Sequence, residues 1–464
     1  MKRSKRIYIL LAVLAVVCIA TFIVSRVEEH KEKIKNTDAV ILEIPPDSVK
    51  TLSWEHDSKK FALHKDDKWI YDADEQFPVD QDRIDKLLKV FEKFGAAFII
   101  EDVENYGQYG LDKPVCTIRL SDGDKSYEIK LGDFSKMDAQ RYVSIGDGNV
   151  YLVKKDPLDE YGVELKDLID NDKAPSFNKV QEIRFEGAES YNIVYEENSA
   201  DTYCKDDVYF ARLGGGKHPL DTSRVNSYLT NIRTLKLTDY VTYKATDAEL
   251  KKYGLDAPEL MVTVRYAPEG GDGEETFTIS VSRDPEEKKK AENAESEDKK
   301  DEEITAYARV GQSKIVYMIS ADDYKDLMAA SFNDLRHQEV FPADLDIITQ
   351  FDISLEGGSY TITAEKKDNE ITYYYQGEKL DITSFRSAFR ALKAEKFTDE
   401  KPAQKEEISL TVHLESDNFP QVKIQLYRYD GTYCLAVVDG KPVSLVRRSN
   451  VVDLIEAVHK IVLG

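Results

Sequence analysis

The sequence predicts an α+β fold: an N-terminal transmembrane helix followed by three tandem repeats, each an antiparallel β-meander with one packed helix. Three observations predict it. One amphipathic pattern occurs three times, short alternating runs bounded by turn residues surround each copy, and a charge-free apolar segment stands near the amino terminus.

The repeated pattern is counted from an aspartate. From Asp80, Asp221 and Asp381, apolar or small residues fall at +4, +7, +8 and +11. They are Ile84, Leu87, Leu88 and Phe91, then Val225, Tyr228, Leu229 and Ile232, then Phe385, Ala388, Phe389 and Leu392. That spacing makes one stripe on an α-helix. Each aspartate stands where an N-cap carboxylate would accept from the first-turn N–H groups. Three matching helices imply three matching modules, here residues 39–175, 176–336 and 337–464.

The amino terminus carries the compartment signal. Lys2, Arg3, Lys5 and Arg6 precede residues 7–24, which hold no charged side chain. Eighteen helical residues rise about 27 Å, close to the roughly 30 Å hydrocarbon core. Positive charges stay on the cytoplasmic side. The expectation is therefore a cytoplasmic tail at 1–6, a signal anchor at 7–25, a charged stalk at 26–38 and an extracytoplasmic bulk. The expected protein is thus single-pass, with its amino terminus cytoplasmic. A cleaved signal fits less well, because Cys18, Ile19 and Ala20 make a poor small-x-small site. Val17 before Cys18 disfavours a lipoprotein.

Within each module, alternating runs such as Thr51, Leu52, Ser53 and Trp54 read as meander strands. Asp122 with Gly123, and Asp147 with Gly148, mark hairpin turns. A second landmark, Tyr109, Gly110, Leu111, Asp112, Lys113 and Pro114, returns as Tyr253, Gly254, Leu255, Asp256, Ala257 and Pro258. It reads as a structural device. A short helical turn ends on a left-handed glycine, the leucine packs back, and the proline keeps the chain extended before the next strand. The third module lacks it and has Lys401, Pro402, Ala403 and Gln404 nearby. Residues 284–303 hold ten acidic residues, five lysines and no large apolar group, so they read as a solvated, disordered loop. Two stretches between modules correspond and read as structured junctions: Ala174, Pro175, Ser176, Phe177, Asn178 and Ala330, Ser331, Phe332, Asn333.

Candidate chemistry is sparse. A net charge of −23 repels phosphate backbones and argues against nucleic-acid binding. Cys116, Cys204 and Cys434 are too few for a disulfide framework. Gly214, Gly215, Gly216 and Lys217 lack the hydroxyl residue of a phosphate loop and read as a turn. The seven histidines show no metal-ligand spacing, and no nucleophile elbow occurs. The expectation is a protein that is not an enzyme, with no cofactor and no metal. Tyr373 and Tyr375 share one strand face, with Tyr374 on the other. They are the candidate ligand-contact aromatics, weighed against cross-strand packing on a half-buried sheet.

The basic terminus, the apolar segment, the tandem meander-helix-meander units and the two Tyr-Gly-Leu-Asp-x-Pro stretches together resemble domain-of-unknown-function family 4340. The resemblance implies a bacterial, membrane-anchored, extracytoplasmic protein encoded with ABC-type transport components similar to those of gliding-motility systems. It supplies no catalytic residues. The functional expectation is a non-enzymatic accessory, scaffold or binding subunit of an ABC-type transport or envelope-associated complex, with permease and ATPase subunits as partners. An independent polysaccharide- or peptide-binding protein is the alternative, and a hydrolase the third reading.

Overall fold

The computed structural model describes residues 13–17, 19, 33–268, 273–293, 304–367 and 370–463. Two compact units divide the chain, Met1–Asn171 and Asp172–Gly464. The first contains one sheet and the second contains two.

The second sheet runs, from one edge to the other, Gly216–Pro219, Tyr209–Leu213, Tyr191–Tyr195, Asn178–Gly187, Leu260–Ala267, Glu275–Arg283, Ala306–Val310, Val316–Ile319 and Tyr240–Thr242. The third repeats that order with Glu378–Leu380, Glu370–Tyr375, Gly358–Lys367, Ile348–Leu355, Glu406–Leu414, Gln421–Arg428, Tyr433–Val438, Lys441–Arg447 and Ala394–Phe397. In the first sheet Trp69–Tyr71, Lys59–Lys65 and Thr51–His56 lead into Cys116–Ser121, Ser126–Ser135, Gln140–Ser144, Val150–Val153 and Phe94–Glu101. Lys33–Asn36 adds outside that last strand. In each sheet the two meanders join by antiparallel pairing of their first strands, as in Trp54 opposite Ile118, Ile183 opposite Val264 and Ile353 opposite Leu410.

This topology explains the repeated helix. It leaves the sheet at the end of the first meander, and the chain re-enters as the strand beyond the second meander, the far edge in the second and third sheets. The helix is thus a crossover lying over one sheet face, and a crossover must be apolar where it meets the sheet. Gln81–Lys89 buries Ile84, Leu87 and Leu88, Thr222–Thr234 buries Val225, Tyr228, Leu229 and Ile232, and Thr383–Arg390 buries Phe385, Ala388 and Phe389. Each large side chain so buried contributes about 1.5–3 kcal/mol. Asp80 caps the first helix by accepting from Arg83 N at 3.0 Å, and Asp221 caps the second by accepting from Ser223 N at 2.9 Å. In the third the cap position falls on Ile382, while Asp381 accepts from Thr383 N at 2.9 Å. A second helix packs beside each crossover. Tyr161, on Leu158–Tyr161, donates to Leu87 O at 3.0 Å. Tyr228 donates to Leu327 O, on Ala321–Met328, at 2.9 Å. In the third copy Asn450, on Arg448–Leu463, donates to Ala391 O at 2.8 Å.

The Tyr-Gly-Leu-Asp stretches build a small core on the opposite face. Tyr109 and Leu111 pack with Ile100, Val150 and Leu152; Tyr253 and Leu255 pack with Ala245, Tyr307 and Val316. Gly110 and Gly254 hold φ +71° and +70°, and a Cβ at Gly110 would stand 2.6 Å from the Asp133 carboxyl. Asp112 and Asp256 are exposed, and Pro114 and Pro258 are half-buried just before the strands. The third sheet fills the same place without the motif: Leu435, Val437 and Leu445 are covered by Tyr427, Tyr429 and Tyr433. Cys434 and Ala436, on alternate positions of that strand, face the main core.

Glu259, next to Pro258, accepts from Lys288 Nζ at 2.6 Å, Arg283 N at 2.8 Å and the Tyr324 hydroxyl at 2.9 Å. Burial pushes this carboxyl up, but those hydrogen bonds outweigh it and hold it below its usual value. A depressed carboxyl stabilises the fold fully above its unfolded pKa, about 4.3, and loses that contribution as pH falls through the folded value. Glu259→Gln is therefore expected to flatten the acid limb of a melting-temperature profile below about pH 5. An unchanged limb would remove Glu259 from the acid response.

Several expectations need correction. The class is mostly β, in three antiparallel sheets of ten, nine and nine strands, rather than α+β. The segments after the crossover helices form strands, edge strands in the second and third sheets, while each crossover is only 8 to 13 residues long. Among the described residues no helix is long and apolar enough to cross a membrane. Most of the expected anchor at 7–25 lies outside those residues, and the helical stretch described there is 13–17 with 19. A span needs about 20 continuous helical residues, so the single-pass membrane localisation is not supported. The charged stretch 284–303 is not simply loop. Pro285–Asn293 is helical, with Asp284 accepting from Glu286 N at 2.9 Å and Glu287 N at 3.1 Å. Proline at the first helical position and a preceding aspartate are helix-start signals that override the composition. Residues 294–303 lie outside the described set.

The two junction stretches also differ. Ser331 caps Phe332–Leu335 in a capping box with Asp334, whereas Asn178 begins a strand. The true counterpart of Ser331 is Glu164, which caps Leu165–Leu168 with Asp167. Both turns end on a leucine whose carbonyl accepts from a helix-capping aspartate, Leu168 from Asp80 N and Leu335 from Asp221 N.

Candidate functional site

A cleft of about 410 Å³ lies between the crossover helix Thr222–Thr234 and the first meander of the second sheet. The helix supplies it with a polar stripe adjoining its core stripe: Asn226, Thr230 and Arg233, spaced by four and three residues. From the sheet come Tyr195 and Tyr209, paired across neighbouring strands with their rings edge-on at 5.5 Å. Phe177 closes one side, itself held edge-on by Tyr266 and Phe277 at 5.4 and 5.8 Å.

Lys179 enters through a backbone irregularity. Asn178 pairs with Ala267 and Val180 with Tyr266, so Lys179 is the extra residue of a bulge. Its φ is +44°, a conformation that costs an L-residue other than glycine of order 1–3 kcal/mol. Bulges re-aim side chains, and this one places a lysine on the cleft wall. Among the described residues neither Lys179 nor Arg233 has an acidic partner at ion-pair distance, in a chain with 87 acidic residues. Tyr195 is exposed and hydrogen-bonds Glu197. Burial pushes the Tyr209 phenol up to about 12, so it is neutral at physiological pH. The wall therefore offers aromatic surface, neutral hydrogen-bonding groups and two uncommitted cations.

A family model described as a domain of unknown function, DUF4340, matches residues 69–208 and 214–411, more than half of the chain. The chain belongs to this family. Each DUF4340 match begins near the end of one sheet's first meander; the first ends after two strands of the second sheet, and the other ends within Glu406–Leu414 of the third. The cleft's helix and strands fall within or beside the matched segments. Comparison with curated proteins and with solved structures gave no match.

The sequence-derived residues lie elsewhere. Asp80, Asp221 and Asp381 serve helix starts, and both Tyr-Gly-Leu-Asp stretches serve the opposite-face cores. Tyr373 is half-buried against the third core and lines a separate hollow of about 310 Å³. That hollow balances Arg386 and Arg390 with Asp344 and Asp346, and Lys205 pairs with Asp344 at 3.3 Å. Tyr375 is half-buried opposite Ile362 and Glu378. Neither tyrosine joins the cleft. Sequence reading missed Lys179 because one extra residue in a strand leaves no pattern, although the polar positions 226, 230 and 233 were visible beside the apolar stripe.

Proposed function

We propose that this DUF4340 protein is a non-enzymatic binding and scaffolding subunit that holds an acidic oligosaccharide in the second-sheet cleft. ABC-type transport components are the partners the family resemblance suggests. The reading rests on Lys179 and Arg233: two cations without acidic partners among the described residues face one cleft of a strongly acidic chain, one of them held there by a strained bulge. A guanidinium binds a carboxylate through two parallel hydrogen bonds, and an exposed ring such as Tyr195 stacks on a sugar face. Rigid sheet strands fix the geometry of such a site better than loops do.

Calorimetric titration with oligogalacturonate and its neutral galactose counterpart tests this. The acidic ligand is expected to bind, more weakly as salt rises, and Lys179→Glu with Arg233→Glu is expected to reduce affinity tenfold or more, about 1.4 kcal/mol. Equal binding of the neutral sugar, or affinity indifferent to charge reversal, would overturn the cleft assignment. Affinity purification from a mild-detergent extract tests the assembly. Recovery of permease and ATPase subunits supports it, and their absence from a well-solubilised extract removes it.

A further inference from the structure

Within the second unit, the loop between Tyr191–Tyr195 and Tyr209–Leu213 reaches the segment that joins the second and third sheets. Asp207 on this loop is 3% exposed. One of its oxygens meets His337 Nε2 at 2.7 Å and the other accepts from Thr202 Oγ1 at 2.7 Å. Cys204 is buried among the residues of the third core, and its sulfur, an Asp207 oxygen and a His337 nitrogen all lie within 4.8 Å of one another. The same imidazole lies within 4.8 Å of carboxylate oxygens of Asp221 and Glu339. Loop and joining segment are firmly held. Asp207 N donates to Cys204 O at 3.1 Å, Val340 N to Leu392 O at 2.9 Å and Ala394 N to Gln338 O at 2.7 Å.

We propose that Cys204, Asp207 and His337 form a binding site for a divalent transition-metal ion of the zinc type. One thiolate, one imidazole nitrogen and one carboxylate suit such an ion, at metal–ligand distances of roughly 2.0–2.3 Å. In a tetrahedron those bonds set the ligand atoms roughly 3.3–3.8 Å apart. The pair at 2.7 Å must open slightly and the others close from at most 4.8 Å, changes within the reach of side-chain rotation. The carboxylates of Asp221 and Glu339 stand within 4.8 Å of the imidazole, near enough for a small side-chain shift to make one of them its outer partner. Electrostatics favours a cation here. A carboxylate as buried as Asp207 is expensive unless paired, and a divalent ion pairs it while also using the neighbouring sulfur. Burial, then the Asp207 carboxylate, push the Cys204 thiol up to about 12.

The test uses the full chain, stripped with chelator, reloaded with Zn²⁺ or Co²⁺ and passed through gel filtration. About one ion per chain is expected, and the cobalt form is expected to show the near-ultraviolet thiolate charge-transfer band. Cys204→Ser is expected to lose that band, and His337→Gln and Asp207→Asn to weaken retention tenfold or more, each with an unchanged circular dichroism spectrum. The wild-type cobalt spectrum does not depend on any variant folding. Absence of retained metal in the wild type, absence of the thiolate band, or full retention by a Cys204→Ser/His337→Gln double variant would each overturn the site.

Discussion

Arg141→Met is expected to lower the stability of the first unit by about 3–5 kcal/mol, the range for removing one partner of a buried ion pair. Arg141 Nε meets both Asp156 oxygens at 2.7 and 2.8 Å, and Nη1 donates to Gly132 O at 2.7 Å. The two side chains are 10% and 13% exposed. Methionine fills much of the volume but leaves the Asp156 carboxylate buried without its cation and the Gly132 carbonyl without its donor. Gly132 has no room to adjust, since a Cβ there would stand 2.1 Å from Tyr109 O. The bond thus ties the strand Gln140–Ser144 to the start of the next helix, where Asp156 also accepts from Leu158 N at 2.9 Å. Tryptophan emission reports this unit alone, because both tryptophans, Trp54 and Trp69, lie in the first sheet at 1% and 2% exposure. Urea unfolding followed by that signal should show the midpoint fall. Adding Asp156→Leu should restore part of the loss, because the penalty lies in the orphaned charge. A midpoint within 0.5 kcal/mol of wild type, as judged on the ~1 kcal/mol scale of ordinary substitutions, would show the pair to be solvent-screened.

Features carried by local periodicity were legible in the sequence. The three apolar stripes fix which helix face is buried, and Gly110 and Gly254 mark turns that require positive φ. Features that depend on residues far apart were not. His337 and Asp207 are separated by 130 positions, and no spacing rule joins a loop of one sheet to the segment entering the next. The class was misjudged for a related reason. The edge strands Tyr240–Thr242 and Ala394–Phe397 are short and partly polar, and they are strands because Val316–Ile319 and Lys441–Arg447 offer them open edges. Lys179 shows the same limit on a smaller scale, since its bulge exists only relative to Ala267 and Tyr266.

The second large effect is expected at Tyr203, where Tyr203→Ala should weaken the coupling of the second and third sheets by about 2–4 kcal/mol. Its ring stacks on Phe341 at 5.4 Å and meets Phe419 edge-on at 5.5 Å. Tyr203 packs against the third sheet's core, yet it belongs to a loop of the second. That loop spans residues 196–208, whereas the equivalent turn of the first sheet spans only 66–68. The two sheets belong to a single compact unit, and the Cys204–Asp207–His337 cluster sits where the longer loop meets the joining segment. Removing the ring should let the sheets unfold separately, so calorimetry should resolve a further transition. Trypsin should then cut after Arg336, which in the intact protein is packed on Phe332 and Phe397 at 5.0 and 4.4 Å. A calorimetric trace and a protease pattern identical to wild type would mean that the joining segment holds the sheets together without the loop. If zinc loading raises the variant's new transition back toward the wild-type profile, the cluster and the aromatic plug act on the same joint, since a ligand that binds only the docked form must stabilise it.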